Sequence, residues 1–142
     1  HVAESAALGC SLAEFPTTMA AGEASHRQGL HVMMGAPNVI RGGSHSGNVA
    51  ARDFATAGLL DVLSSDYYAS ALLSAAVKLT EDDIGMDMAE AIATVTRHPA
   101  DAVGMHDRGR LAEGCRADVV LFEHDQHGVR VSETYVAGRR VF

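Results

Sequence analysis

The feature that most constrains this chain is a short grammar that it repeats three times. Gly9, Gly29 and Gly58 each close an alanine-rich, helix-compatible stretch and stand where a helix C′ glycine belongs. A short apolar run follows each one, over residues 11–15, 30–34 and 59–63. Each run ends on turn-forming or polar residues: Pro16, Thr17 and Thr18; Pro37 and Asn38; Ser65 and Asp66. Helix, glycine, strand, polar tip and helix again is the order of a parallel α/β sheet. The runs are nearly continuous in apolar character, which predicts strands buried on both faces.

Further along, residues 67–79 predict another helix. Asp87 and Glu90 have the spacing of a capping box, opening a helix with Met88, Ile92 and Val95 on one face that stops before His98 and Pro99. Pro99 suits the first position of a short helix ending at Gly104. From Gly109 the texture changes to strands, over 109–114, 117–122, 129–136 and 139–142, the last two joined by a tight turn at Ala137 and Gly138.

At 142 residues, with 47% hydrophobic and 20% charged, the chain has the size and composition of about one globular domain. No apolar run approaches the roughly 20 residues that span a bilayer, and no export signal is evident. The net charge of −7 argues against nucleic acid or an anionic membrane as partner. Cys10 and Cys115 form no motif, which fits a cytoplasmic protein in which they are structural or inert. The chain opens at His1 inside a helix-like stretch, so a C-terminal piece of a longer protein is expected.

Asp66 is the foremost candidate for chemistry. On a period-two strand it shares a face with Leu60, Val62 and Ser64 and points out at the carboxyl end, where a carboxylate can bind a metal or accept a proton. The competing assignment is an N-cap for a helix starting near Tyr67. The segment Arg41-Gly42-Gly43-Ser44-His45-Ser46-Gly47-Asn48 can form an anion nest of backbone N–H groups, hydroxyls and a guanidinium, or be a plain surface loop. It lacks the Lys-Ser/Thr ending of a P-loop. His45 suits a metal ligand, a general acid or a solvated loop residue. Glu14 is either functional or an inward polar residue of the sheet. His31, at the start of a strand, reads as structural. His26, His98, His106, His124 and His127 show no metal-ligand spacing. No nucleophile elbow, H-E-x-x-H, C-x-x-C or G-x-G-x-x-G motif is present.

The string from Gly109 to Phe122, with Thr134 to Val141, resembles the tail of the amidohydrolase superfamily. The stretches around Ala13–Thr18, Met34–Asn48, Leu63–Tyr67 and Ala93–Ala100 resemble, more narrowly, its branch of phosphonate-degrading triphosphate diphosphatases. The resemblance implies the C-terminal part of a (β/α)8 TIM-type barrel over residues 1–108, plus C-terminal strands of a small β-sandwich over 109–142. It also implies a divalent metal ion, zinc or manganese, and a small phosphonate-bearing triphosphate substrate hydrolysed to release diphosphate. Asp66 would be metal ligand and general base. Arg41, Ser44, His45 and Ser46 would hold phosphate oxygens, and Asn38 would orient the loop. The remaining metal ligands of the family lie on earlier strands, so the site is expected to be incomplete here and a large apolar edge exposed. Oligomeric state stays open. Two other readings remain: an amidohydrolase acting on an amide bond, such as a deacetylase or cyclic-amide hydrolase, and a non-catalytic anion-binding α/β domain.

Overall fold

A computed structural model describes residues 1–43, 47–81 and 83–142. Ser44, His45 and Ser46 lie outside the described residues. The chain is mixed α/β, with one parallel and one antiparallel three-stranded sheet.

The first half alternates helix and strand in the expected order: α1 (Val2–Ala7), β1 (Leu12–Glu14), α2 (Met19–Arg27), β2 (His31–Gly35), α3 (Ala36–Arg41), α4 (Ala51–Thr56) and β3 (Val62–Ser64). The helix-ending glycines act as the grammar requires. Gly9, Gly29 and Gly58 have φ of 83°, 75° and 67°. After α2, the Gly29 N–H donates to the His26 carbonyl and the Leu30 N–H to the Ser25 carbonyl, both at 2.9 Å. That double bond pattern is the Schellman motif, and it recurs at Gly9 and Gly58. In each case the chain is turned from a helix end directly into the next strand.

The strands run parallel in the order β1-β2-β3, with Ala13 opposite Val32, Met34 opposite Leu63 and Gly35 opposite Ser64. Val32, Met34 and Leu63 share one face and pack in the core with Phe54, Ala51, Ala71, Ala75 and Leu79 from the helices. The register places Glu14, Met33, Gly35 and Ser64 on the other face. There Met33 is half-buried and Glu14 exposed. Burial on both faces was the sequence expectation; Val62 and Gly35 are buried on this second face too, so it is met there in part, with Met33 and Glu14 left partly or wholly open. The total accessible surface of 8364 Å² exceeds the roughly 7,000 Å² expected for a folded protein of this mass.

Beyond β3 come α5 (Ala71–Lys78), α6 (Met88–Ala93) and α7 (Arg97–Ala102). Four local expectations are corrected here. The helix expected from Tyr67 begins four residues later, after a pair of turns in which the Tyr68 N–H donates to the Ser65 carbonyl and the Ala71 N–H to the Tyr68 carbonyl. Asp87 does cap α6, accepting from the Ala89 N–H at 2.8 Å, but Glu90 does not complete a box; it faces Arg97 and His98 instead. The buried side of α6 is Ala91 and Ala93, while Met88 is exposed. Pro99 is the third residue of α7 rather than the first.

The second sheet comprises β4 (Val119–Asp125), β5 (Gly128–Val136) and β6 (Arg139–Arg140), all antiparallel. The expected strand over 109–114 is absent; that segment is turns and irregular backbone. The expected Ala137-Gly138 turn is present, with φ of 49° and 77° at its two central residues. Positive φ at both positions is the geometry that matches strand twist in a two-residue hairpin.

Candidate active site

Three parallel strands deliver their carboxyl ends side by side, and the segments leaving them form one cleft of about 300 Å³. Phe15, Pro16 and Thr17 enter from the end of β1, Gly35, Pro37, Asn38 and Arg41 from β2 and α3, and Asp66 and Tyr67 from the end of β3. Gly43, Asn48 and Val49 close another side. This is the edge of a parallel sheet at which α/β enzymes place their chemistry.

Asp66 is not on the strand itself. β3 ends at Ser64, and Asp66 lies in the turn beyond it with φ of 50°, a left-handed conformation that few residues other than glycine adopt. Nor is it the N-cap of the following helix; that position belongs to Ser70. The N-cap assignment for Asp66 therefore falls away. The Asp66 carboxylate is exposed and lines the cleft, on a left-handed backbone that Asp adopts more readily than most residues with a side chain.

Asn38 and Arg41 also differ from expectation. The sequence suggested a glycine-rich loop directly after β2, but α3 intervenes, entered through Pro37 in its first turn and stopped by Gly42 at φ of 78°. Asn38 Oδ1 accepts the Ala51 N–H at 2.9 Å, which ties α3 to the first residue of α4. Arg41 ends α3 with its guanidinium 5.5 Å from the centre of the Tyr67 ring. A cation over an aromatic face is attractive. The contact links the loop after β2 to the loop after β3, beside Asp66. The structure thus brings Asp66, Asn38 and Arg41 around one cleft, while Glu14 is not among the residues lining it.

Residues that sequence reasoning passed over also belong here. Ser64 Oγ is buried with no hydrogen-bond partner among the described residues. An orphaned buried hydroxyl is costly and calls for a partner. Phe15, like Asp66, takes a left-handed φ, of 51°. A second cluster forms at the opposite, amino end of the strands. Asp61 Oδ2 accepts the Val32 N–H at 2.7 Å and lies 2.6 Å from His26 Nε2, while His98 Nδ1 reaches the Asp61 carbonyl at 3.0 Å. Their sequence separation concealed it. At that end of a parallel sheet such ties serve stability. Among the described residues no group of three or more His, Cys, Asp or Glu side chains is placed to hold a metal ion, and both cysteines are free. No helix there is long and apolar enough to cross a membrane.

The model of the amidohydrolase family matches residues 2–142. This chain belongs to the amidohydrolase family. It is 50% identical to the alpha-D-ribose 1-methylphosphonate 5-triphosphate diphosphatase of Escherichia coli K12, over 100% of this chain and 38% of that protein. Shorter similarities reach an adenine deaminase of Ligilactobacillus salivarius, 41% identical over 42% of this chain and 10% of that protein. An imidazolonepropionase of Ruegeria sp. TM1040 is 56% identical over 24% of this chain and 8% of its own length. The chain thus spans well under half the length of these relatives. No solved structure matches it significantly.

Proposed function

We propose that this chain carries the C-terminal part of a metal-dependent hydrolase of phosphonate catabolism. The proposed reaction converts alpha-D-ribose 1-methylphosphonate 5-triphosphate to its 5-phosphate and diphosphate. The observation that carries the reading is Asp66, a carboxylate held at the carboxyl edge of parallel strands in a cleft it shares with Arg41. The identity to the Escherichia coli diphosphatase along the whole chain supports the substrate class, whereas the deaminase similarity covers less than half of it. On this reading residues 1–108 are the last strands and helices of a (β/α)8 barrel, and 109–142 belong to a small β-sandwich.

A divalent metal, zinc or manganese, fits Asp66 as one oxygen ligand, because both ions accept Asp carboxylate oxygens. Its other ligands would come from chain beyond these residues. When bound, the metal polarises a phosphoryl oxygen and acidifies water. Asp66 takes the proton from the attacking water as its oxygen bonds to the α-phosphorus and the bridging oxygen leaves with diphosphate. Arg41 offers a planar fork of donors to phosphate oxygens. Ser44, His45 and Ser46 would add donors from the glycine-rich segment, and Asn38 ties α3 to α4 through its bond to Ala51. A net charge of −7 would otherwise repel a polyanion, so the Arg41 guanidinium offsets that repulsion locally at the cleft.

The test is Asp66→Asn in the full-length enzyme, which removes charge and basicity while keeping shape. Diphosphate release should fall by about 10²-fold or more, the usual scale for losing a general base. Near-normal turnover with full metal content would overturn the assignment.

A further inference from the structure

Most glycines in this chain explain themselves. Gly9, Gly29, Gly42, Gly58 and Gly104 have positive φ and open space where a Cβ would stand, so they are there for the turn. Gly35 is different. It has φ of −76° and ψ of 130°, extended backbone that any residue adopts, so conformational freedom is not the reason for glycine at this position. It is also buried, at the end of β2 and opposite Ser64 in the register.

The reason lies in what a side chain would meet. A Cβ on Gly35 would stand 3.2 Å from Asp66 Oδ2 and 3.5 Å from Asp66 Cβ, with Phe15 Cε1 at an ordinary 3.6 Å. The tight contact is therefore with the carboxylate. At that distance a methyl group on Gly35 would require the Asp66 carboxylate to give by a few tenths of an ångström. Gly22 and Gly109 would also meet close neighbours, but those are the Phe54 ring in the core and the backbone of Thr96 and Arg97. Gly35 alone among these close contacts faces the site.

We propose that Gly35 is a positioning residue: its missing side chain sets where the Asp66 carboxylate stands in the cleft. The inference rests on the reading of Asp66 as the reactive carboxylate, and deepens it.

The experiment compares Gly35→Ala with Asp66→Asn in the full-length, metal-loaded enzyme, using the ribose triphosphate as substrate. The backbone accepts alanine, so the thermal midpoint of Gly35→Ala should hold or rise. Its kcat should fall about 10- to 100-fold, since small misplacements of a reacting group carry losses of that order. KM should change little, and this split of kcat from KM is the readout that a purely structural glycine would not give. Unchanged kcat in Gly35→Ala, beside an inactive Asp66→Asn, overturns the positioning role and leaves Asp66 standing. A raised KM at constant kcat overturns it too, since the methyl group would then obstruct substrate rather than move Asp66. Loss of folding would show that the methyl group meets more than the carboxylate, and also overturns it. An active Asp66→Asn removes the reading beneath it.

Discussion

Among the described residues, every buried hydrophobic side chain lies between Leu30 and Ala102, whereas β4, β5 and β6 contain none. Both sheets have apolar strands; what differs is cover. In the parallel sheet, Val32 and Phe54 are 0% exposed because α2, α4 and α5 close over one face. In the antiparallel sheet, Phe122 is only half-buried and Val120 and Leu121 are exposed. That sheet is organised instead by its backbone ladder, from Val119 opposite Tyr135 to Asp125 opposite Gly128, with one irregularity between Leu121 and Phe122. A hairpin-built sheet with little apolar burial is marginal by itself. Burial thus organises the part that carries the site, and hydrogen bonding the part that does not.

The sharpest way to break this contrast is a pair of truncations. Phe54→Ala empties a fully buried ring site against which Gly22 is packed so closely that even a Cβ there would fall 2.3 Å from the ring. Such a truncation should cost about 3–5 kcal/mol in a denaturant melt. Phe122→Ala should cost on the order of 1 kcal/mol or less, in proportion to its smaller burial. Equal costs would mean that the face of β4 is covered in the full-length protein by something this chain does not contain. The apolar groove between Phe122 and Val119 on one side and Leu72, Ile92 and Val95 on the other would be the place to look.

The contrast also explains what could be read from sequence. Glycine C-caps are local chemistry, so the helix–strand order and the three parallel strands were legible at Gly9, Gly29 and Gly58. The Ala137-Gly138 turn was legible for the same reason. What was not legible depended on the third dimension. Asp66 is named correctly as a residue of the carboxyl edge, but its left-handed turn leaves no pattern in an apolar run that simply stops. The helix over Ala36–Arg41 was hidden because Pro37 reads equally as a turn or as a helix start. His26, Asp61 and His98 lie far apart in sequence and meet only once β3 is packed beside β2. Gly35 passed unremarked in a glycine-rich segment, since only the position of Asp66 reveals what its missing side chain does.

A smaller effect should come from that part-buried polar tie at the amino ends of the strands. Asp61→Ala leaves the Val32 N–H without its 2.7 Å acceptor and frees His26. Losing the acceptor of a part-buried backbone donor should cost about 1–3 kcal/mol. The local signature is faster hydrogen exchange at Val32, with the amides of β4 and β5 unaffected. Slowed or unchanged exchange at Val32 would mean that the strand is held by burial alone and Asp61 is incidental.

The smallest effect is expected in the segment that joins the two regions, where neither burial nor a strand ladder operates. There Arg108 Nε and Nη2 grip the Asp107 carboxylate at 2.8 and 3.1 Å, and the Asp107 carbonyl accepts the Arg116 N–H at 2.7 Å. The hydrogen bonds from Arg108, helped by its charge, hold the Asp107 carboxyl below its ordinary value of 3.8. A carboxyl lowered in the folded state favours folding at every pH above about 3.8, and that contribution fades as pH falls through the lowered value. Because both partners are solvated and adjacent in sequence, part of the contact survives unfolding, and salt weakens what remains. Asp107→Asn should therefore leave neutral-pH stability almost unchanged and flatten only the acid end of the stability curve. An NMR titration should place the Asp107 midpoint below 3.8 and move it upward with added salt. A midpoint at or above 3.8 would show that the Arg108 grip is not populated in solution, and that this junction is looser than either sheet it connects.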